Sequence, residues 1–124
     1  MNVPDSSAWI EHFSAGPLAS IFLPIIEDRK KLIVPTIVLF EVHKWLLVYR
    51  SENDAQTAAS TMMKNKIVQL TPSLAFDASR LSVKHKLAMA DAIIYASAIA
   101  NAAEVWTTDG HFKGLPNVRF FEKN

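Results

Sequence analysis

Short apolar runs alternate along this chain with longer stretches in which apolar residues recur at helical spacing. The short runs are Asn2-Val3-Pro4, Leu32-Ile33-Val34-Pro35, Ile67-Val68-Gln69-Leu70, Glu104 to Thr107 and Val118-Arg119-Phe120-Phe121, and each reads as a strand. Between them, Ala8, Trp9, Ile10 and Phe13 follow Asp5-Ser6-Ser7, a helix entered through a polar cap. Pro17 opens a second helical stretch through Ile26, bent at Pro24, and Thr36 is expected to cap a helix from Ile37 to about Arg50. Residues 53–66 form a helix of alanine, threonine and methionine, in which Met62 and Met63 serve as filler. Thr71-Pro72-Ser73 starts another, ending in Arg80, Lys84, His85 and Lys86. From Leu87 through Ala102 the chain is apolar on most of its circumference. Strands alternating with helices predict a parallel sheet covered on both faces, and right-handed crossovers make it a three-layer α/β/α sandwich of about five strands.

Two acids interrupt this pattern. Asp91 lies inside the apolar helix among Leu87, Ala88, Ile94 and Tyr95, and a lone buried carboxylate is costly unless something compensates it. Glu41 shares a stripe with Ile37, Val38, Trp45 and Val48; a salt bridge to Lys44 is the ordinary explanation. The last apolar helix rises on the order of 20 Å, and the strand from Glu104 recovers roughly 15 Å of it, so Asp109 returns to the end where Asp91 began. Asp5 follows the first strand at the same end. Four carboxylates, Asp5, Glu41, Asp91 and Asp109, thus map to the edge where open α/β sheets place their ligands.

Composition narrows what such a cluster can do. The 124 residues suit one domain spanning 1–124, half of it apolar, with no internal repeat or linker. No apolar run is long enough to span a bilayer and the N-terminus lacks a signal-peptide pattern, so a cytoplasmic location is expected. With no cysteine, zinc-thiolate sites and a cysteine nucleophile are excluded. The net charge of +1 provides no global field toward nucleic acid, so any contact with it is local. Arg80, Lys84 and Lys86, beside the acidic end, are the favoured phosphate contacts, with Lys44 as an addition. Only three glycines are present, and they form neither a P-loop nor a dinucleotide fingerprint.

At an effective dielectric of about 20, two carboxylates near 4 Å repel by roughly 4 kcal/mol, so the cluster needs protonation or a hard cation. Oxygen donors without Cys or paired His select Mg²⁺ or Mn²⁺ over zinc, and such ions commonly act on phosphates. Phosphodiester hydrolysis is the leading chemistry. A receiver-like signalling module that binds Mg²⁺ without catalysis is the alternative, but it needs an acceptor aspartate after the third strand, where Gln69-Leu70-Thr71-Pro72 stands. An Asp-x-Asp phosphatase fails at Ser7, and a serine hydrolase lacks a nucleophile elbow. His12, His43, His85 and His111 are scattered and read as surface or structural residues.

These residues carry a resemblance. Asp5-Ser6-Ser7-Ala8-Trp9-Ile10-Glu11, Glu41, Ala90-Asp91-Ala92-Ile93-Ile94-Tyr95-Ala96, and Thr107-Thr108-Asp109-Gly110-His111-Phe112 with Leu115-Pro116 together resemble PIN-domain proteins, specifically the VapC toxin ribonucleases of type II toxin–antitoxin modules. The resemblance covers essentially the whole chain. It implies strand order 3-2-1-4-5, an Mg²⁺ or Mn²⁺ site held by Asp5, Glu41, Asp91 and Asp109, and endonucleolytic cleavage of RNA. It also implies a homodimer and a cognate antitoxin that inhibits it. Ser6 and Thr107 match the hydroxyl positions that support the site. Members commonly run several apolar residues into the first aspartate, whereas here Pro4 precedes it, which predicts a frayed first strand and a loosely placed Asp5.

Overall fold

A computed structural model describes the chain from Met1 to Asn124. Its five strands are β1 (Asn2–Pro4), β2 (Ile33–Pro35), β3 (Lys66–Val68), β4 (Glu104–Thr107) and β5 (Val118–Phe120). The helices are α1 (Ser6–Phe13), α2 (Ala19–Glu27), α3 (Thr36–Tyr49), α4 (Glu52–Met62), α5 (Pro72–His85) and α6 (Met89–Ala100). Every strand pairing is parallel: β1 with β4, β4 with β5, and β2 with β3. A single bridge, Asn2 to Leu32, joins the two groups, so the order across the sheet is 3-2-1-4-5.

The weak seam between β1 and β2 has a chemical cause. Successive backbone N–H groups of a strand point to opposite edges, and the Asp5 N–H donates to the Trp106 carbonyl of β4 at 3.0 Å. The donor that Pro4 lacks would therefore have pointed at β2, where pairing stops after one bridge. On the β4 side the register holds through Pro4 opposite Trp106, and the Trp106 indole N–H donates to the Asn2 side chain at 3.0 Å. The first strand is anchored at its Asp5 end, contrary to the fraying that Pro4 suggested.

Cap chemistry accounts for the helix starts. Asp5 caps α1 by accepting from the Ala8 N–H at 3.0 Å, and Thr71 caps α5 by accepting from the Leu74 N–H at 3.2 Å, with Pro72 as the first helical residue. Thr36, the expected cap of α3, is instead its first residue, and its hydroxyl donates to the Val68 carbonyl at the end of β3 at 3.1 Å. The start of α2 falls at Ala19 and not at Pro17, and the Leu18 N–H just before it donates to the buried Glu11 carboxylate at 2.9 Å. Gly16 is required there, since a Cβ would overlap that carboxylate.

Beneath the helices lies one cluster of 27 buried hydrophobic residues, its largest members Trp9, Tyr95, Phe22 and Phe112. Each such side chain contributes about 1.5–3 kcal/mol by leaving water. Every residue of α6 from Ala92 to Ala98 is buried, and the Tyr95 hydroxyl donates to the Pro116 carbonyl at 2.7 Å. Asp91 stands immediately before this buried run, in the first turn of α6.

Candidate active site

Asp5 is the most firmly held of the four acids. One carboxylate oxygen, Oδ1, accepts from the Ser7 hydroxyl at 2.6 Å and the Ala8 N–H at 3.0 Å; the other, Oδ2, accepts from the Thr107 hydroxyl at 2.6 Å. Only 3% of the residue is exposed. Burial raises its pKa from 3.8 to about 6, against the lowering effect of those three hydrogen bonds, and the charge of Asp109 adds to the rise.

Two hydroxyls tie this carboxylate to the turn after β4. Thr107 accepts from the Asp109 N–H at 2.8 Å while donating to Asp5, and Ser7 accepts from the Thr108 N–H at 2.9 Å while donating to Asp5. Ser7 thus supports the site as Thr107 does, although next to Asp5 in sequence it reads as ordinary cap chemistry. Ser6 serves another acid: its hydroxyl donates to Glu41 Oε1 at 2.5 Å.

Glu41 does not lie on the core stripe of α3. That stripe is Val38, Val42 and Leu46, whereas Ile37 and Trp45 are half-buried and Val48 is exposed. Glu41 stands at the cleft rim with Ser6 as partner. Lys44 makes no salt bridge to it and sits over the Phe40 ring, 5.8 Å from the centroid.

Asp91 occupies the first turn of α6, where backbone N–H groups favour an anion. Burial first, then the charges of Asp109 and Glu41, raise its pKa from 3.8 to about 6, opposed by His111. Asp109 caps the turn Gly110–Phe112 by accepting from the His111 N–H at 2.9 Å. Oxygens of Asp91 and Asp109 and a ring nitrogen of His111 all lie within 4.8 Å of one another. Asp91 and Asp109 therefore lie together with His111; the charges of Asp109 and Glu41 act on Asp91, and that of Asp109 on the buried Asp5. His111 is exposed, as a surface residue is, and its ring stands beside Asp91 and Asp109. His12 packs edge-on against Phe13, and His85 against Tyr95, away from the acids.

The basic residues divide. Lys84 and Lys86 are exposed at the end of α5, immediately before the turn that carries Asp91. Arg80 pairs with Asp77 at 3.1 Å and lines a groove with Ala96, Ile99 and Ala100, at the opposite end of α6. No carboxylate follows β3, as a receiver module would require.

The carboxyls of Asp5 and Asp91 are raised to about 6 first by burial and then by neighbouring acids. Hard oxygen donors on the sheet's C-terminal edge fit a divalent cation, with Asp91 and Asp109 as the accessible donors, Glu41 beside them and Asp5 behind.

A family profile for the PIN domain matches residues 3–118. The chain belongs to the PIN-domain family. No curated protein matches it closely enough to count as a relative. Among solved structures, a toxin–antitoxin complex from Klebsiella pneumoniae is similar at 26% identity and TM-score 0.82, covering 99% of this chain and 100% of that chain. VapC20 of Mycobacterium tuberculosis, a sarcin–ricin loop cleaving toxin, is similar at 20% identity and TM-score 0.79, over 96% of this chain and 99% of that one. DNA-bound VapBC from Salmonella typhimurium follows at 13% identity and TM-score 0.77, over 98% of this chain and 96% of that one. The PIN domain here has the fold of VapC-type toxins, and its strand order is the one the motif resemblance implied.

Proposed function

We propose that this PIN-domain chain is a Mg²⁺- or Mn²⁺-dependent endoribonuclease and the toxin of a toxin–antitoxin pair. The observation that supports the reading is the meeting of Asp91 and Asp109 oxygens within 4.8 Å, with Glu41 adding like charge to Asp91 and Thr107 tying the buried Asp5 to the Asp109 turn. Asp91 and Asp109 would hold the cation, Glu41 would border it and Asp5 would complete the acidic wall. A bound divalent ion supplies a lowered pKa for an attacking water and charge neutralisation at the scissile phosphate. Glu41 Oε2, free of the Ser6 bond, is our candidate to accept a proton from that water. Thr107 and Ser7 keep Asp5 and the Asp109 turn in fixed relation, so that little reorganisation remains when substrate arrives.

Lys84 and Lys86 are proposed to hold RNA phosphates on the α5 side of the cleft and Lys44 on the α3 side, with Arg80 as an outer contact. For the antitoxin, the groove between α3 and α4 offers Leu39, Phe40, Val42, Ala58, Met62 and Met63, an apolar surface suited to a partner helix. A homodimer needs a second face, and exposed Phe76 and Val83, seven residues apart on α5, supply one. No helix is long and apolar enough to cross a membrane, and an RNA substrate places the proposed activity in the cytoplasm.

The test incubates purified protein with structured RNAs, a sarcin–ricin stem-loop among them, in Mg²⁺, Mn²⁺ or EDTA, with Asp91→Asn in parallel. Cleavage confined to the wild type with a cation is expected. Cleavage that persists in both EDTA and the variant overturns the reading.

A further inference from the structure

We propose that His111 contributes an imidazole nitrogen to the cation site, turning an all-oxygen donor set into a mixed one that prefers a first-row transition ion to Mg²⁺. The inference rests on the cation site proposed above and adds to it a ligand and a selectivity.

The geometry around the ring points this way. His111 Nδ1 stands 3.0 Å from Asp109 Oδ1 and 3.9 Å from Asp91 Oδ2. Ligands at about 2.1 Å from an octahedral ion sit about 3.0 Å apart when adjacent and about 4.2 Å apart when opposite. The 3.0 Å separation matches adjacent ligands, and the 3.9 Å separation lies near that of opposite ones. The closer pair lies at ion-pair distance, and with the Asp91 oxygen all three ligand atoms are within 4.8 Å of one another, close enough to reach a common ion.

An ordinary ion pair explains less. The imidazole is 79% exposed, and an exposed pair gains about 0–1 kcal/mol, too little to fix a free side chain over two acids. What holds it is local: the Asp109 carboxylate caps the His111 N–H, and Phe112, the next residue, is fully buried, so the backbone on both sides of the ring is pinned.

Selectivity follows from donor chemistry. Mg²⁺ favours oxygen and water, and imidazole adds little to its binding, whereas first-row transition ions bind imidazole with affinity rising from Mn²⁺ toward Cu²⁺. Replacing one oxygen or water position by His111 therefore raises affinity for Mn²⁺ relative to Mg²⁺.

The test measures Mn²⁺ and Mg²⁺ binding by calorimetry, and nitrogen coupling to bound Mn²⁺ by pulsed electron paramagnetic resonance, in the wild type, His111→Ala, His43→Ala and Asp91→Asn. Wild type should show a coordinated nitrogen that His111→Ala removes and His43→Ala keeps. His111→Ala should also lose about 10-fold in Mn²⁺ affinity while Mg²⁺ affinity changes less than about 2-fold. A wild-type Mn²⁺ signal without nitrogen coupling, or one unchanged in His111→Ala, overturns the role of His111 while Asp91→Asn still reports on the acids. Failure of the wild type to bind either ion overturns both readings. The exposed position of His111 leaves the fold intact, which circular dichroism checks.

Discussion

Thr107 serves two acids with one hydroxyl, donating to Asp5 Oδ2 and accepting from the Asp109 N–H. Thr107→Val keeps the shape and leaves both partners unpaired in a buried setting, so it should cost about 1–3 kcal/mol in urea denaturation, with Thr107→Ser restoring most of the loss. Such a role is invisible one residue at a time. Sequence reading singled out Thr107 and Ser6 through motif position but passed over Ser7 and His111. Ser7 resembles a cap residue, and its decisive partner, the Thr108 N–H, lies 101 positions away. The bend that brings His111 over Asp109 is a backbone detail no periodicity encodes. Asp91 also gives a pH signature. Its folded pKa, raised from 3.8 to about 6, lies above the unfolded value, so the associated stability is fully present below about pH 4 and is lost as pH rises through about 6. In EDTA, Asp91→Asn should therefore gain stability over the wild type at pH 7.5 but not at pH 4, and Mn²⁺ should reverse the order at pH 7.5.

Among the elements, the turn between α5 and α6 combines a structural cost with a proposed contact. Lys86 terminates α5 in the left-handed conformation, φ 57°, a position usually held by glycine. Lys86→Gly should stabilise the fold by about 0.5–1 kcal/mol in thermal or urea unfolding, while weakening RNA binding and flattening its salt dependence. A gain in stability with unchanged RNA affinity would remove Lys86 from the phosphate contacts. Strand and helix identities were legible in the alternation of apolar runs and helical spacing, because each element carries its own period. Junctions were less so: Thr36 reaches across to β3 instead of capping, and the buried Glu11 takes the Leu18 N–H at the entry to α2. The strength of β1 was misjudged for the same reason, since the consequence of Pro4 depends on which neighbour its missing N–H would have faced. Glu41 was placed on the core stripe because Ile37, Trp45 and Val48 suggested an apolar face that the fold leaves at the rim.

The whole molecule is closed by its tail. Lys123 donates to Glu11 Oε2 at 2.8 Å, and Glu11, with a side chain only 3% exposed, also accepts from the Leu18 N–H. Burial pushes the Glu11 carboxyl up, but its bonds to Lys123 and Leu18 prevail and hold it below the ordinary value. Lys123→Ala should therefore destabilise by about 1–3 kcal/mol, read by urea denaturation at neutral pH, although Lys123 lies beyond the last strand. That long reach has a counterpart in the bond from Thr107 to Asp5, which spans 102 positions. During synthesis Asp5 leaves the ribosome well before β4, so β1 has no β4 to pair with and the Asp5 carboxylate no Thr107 until about a hundred further residues have emerged. A PIN domain wired in this way has no finished acidic edge until β4 has joined β1, so the site and the sheet are completed in one step.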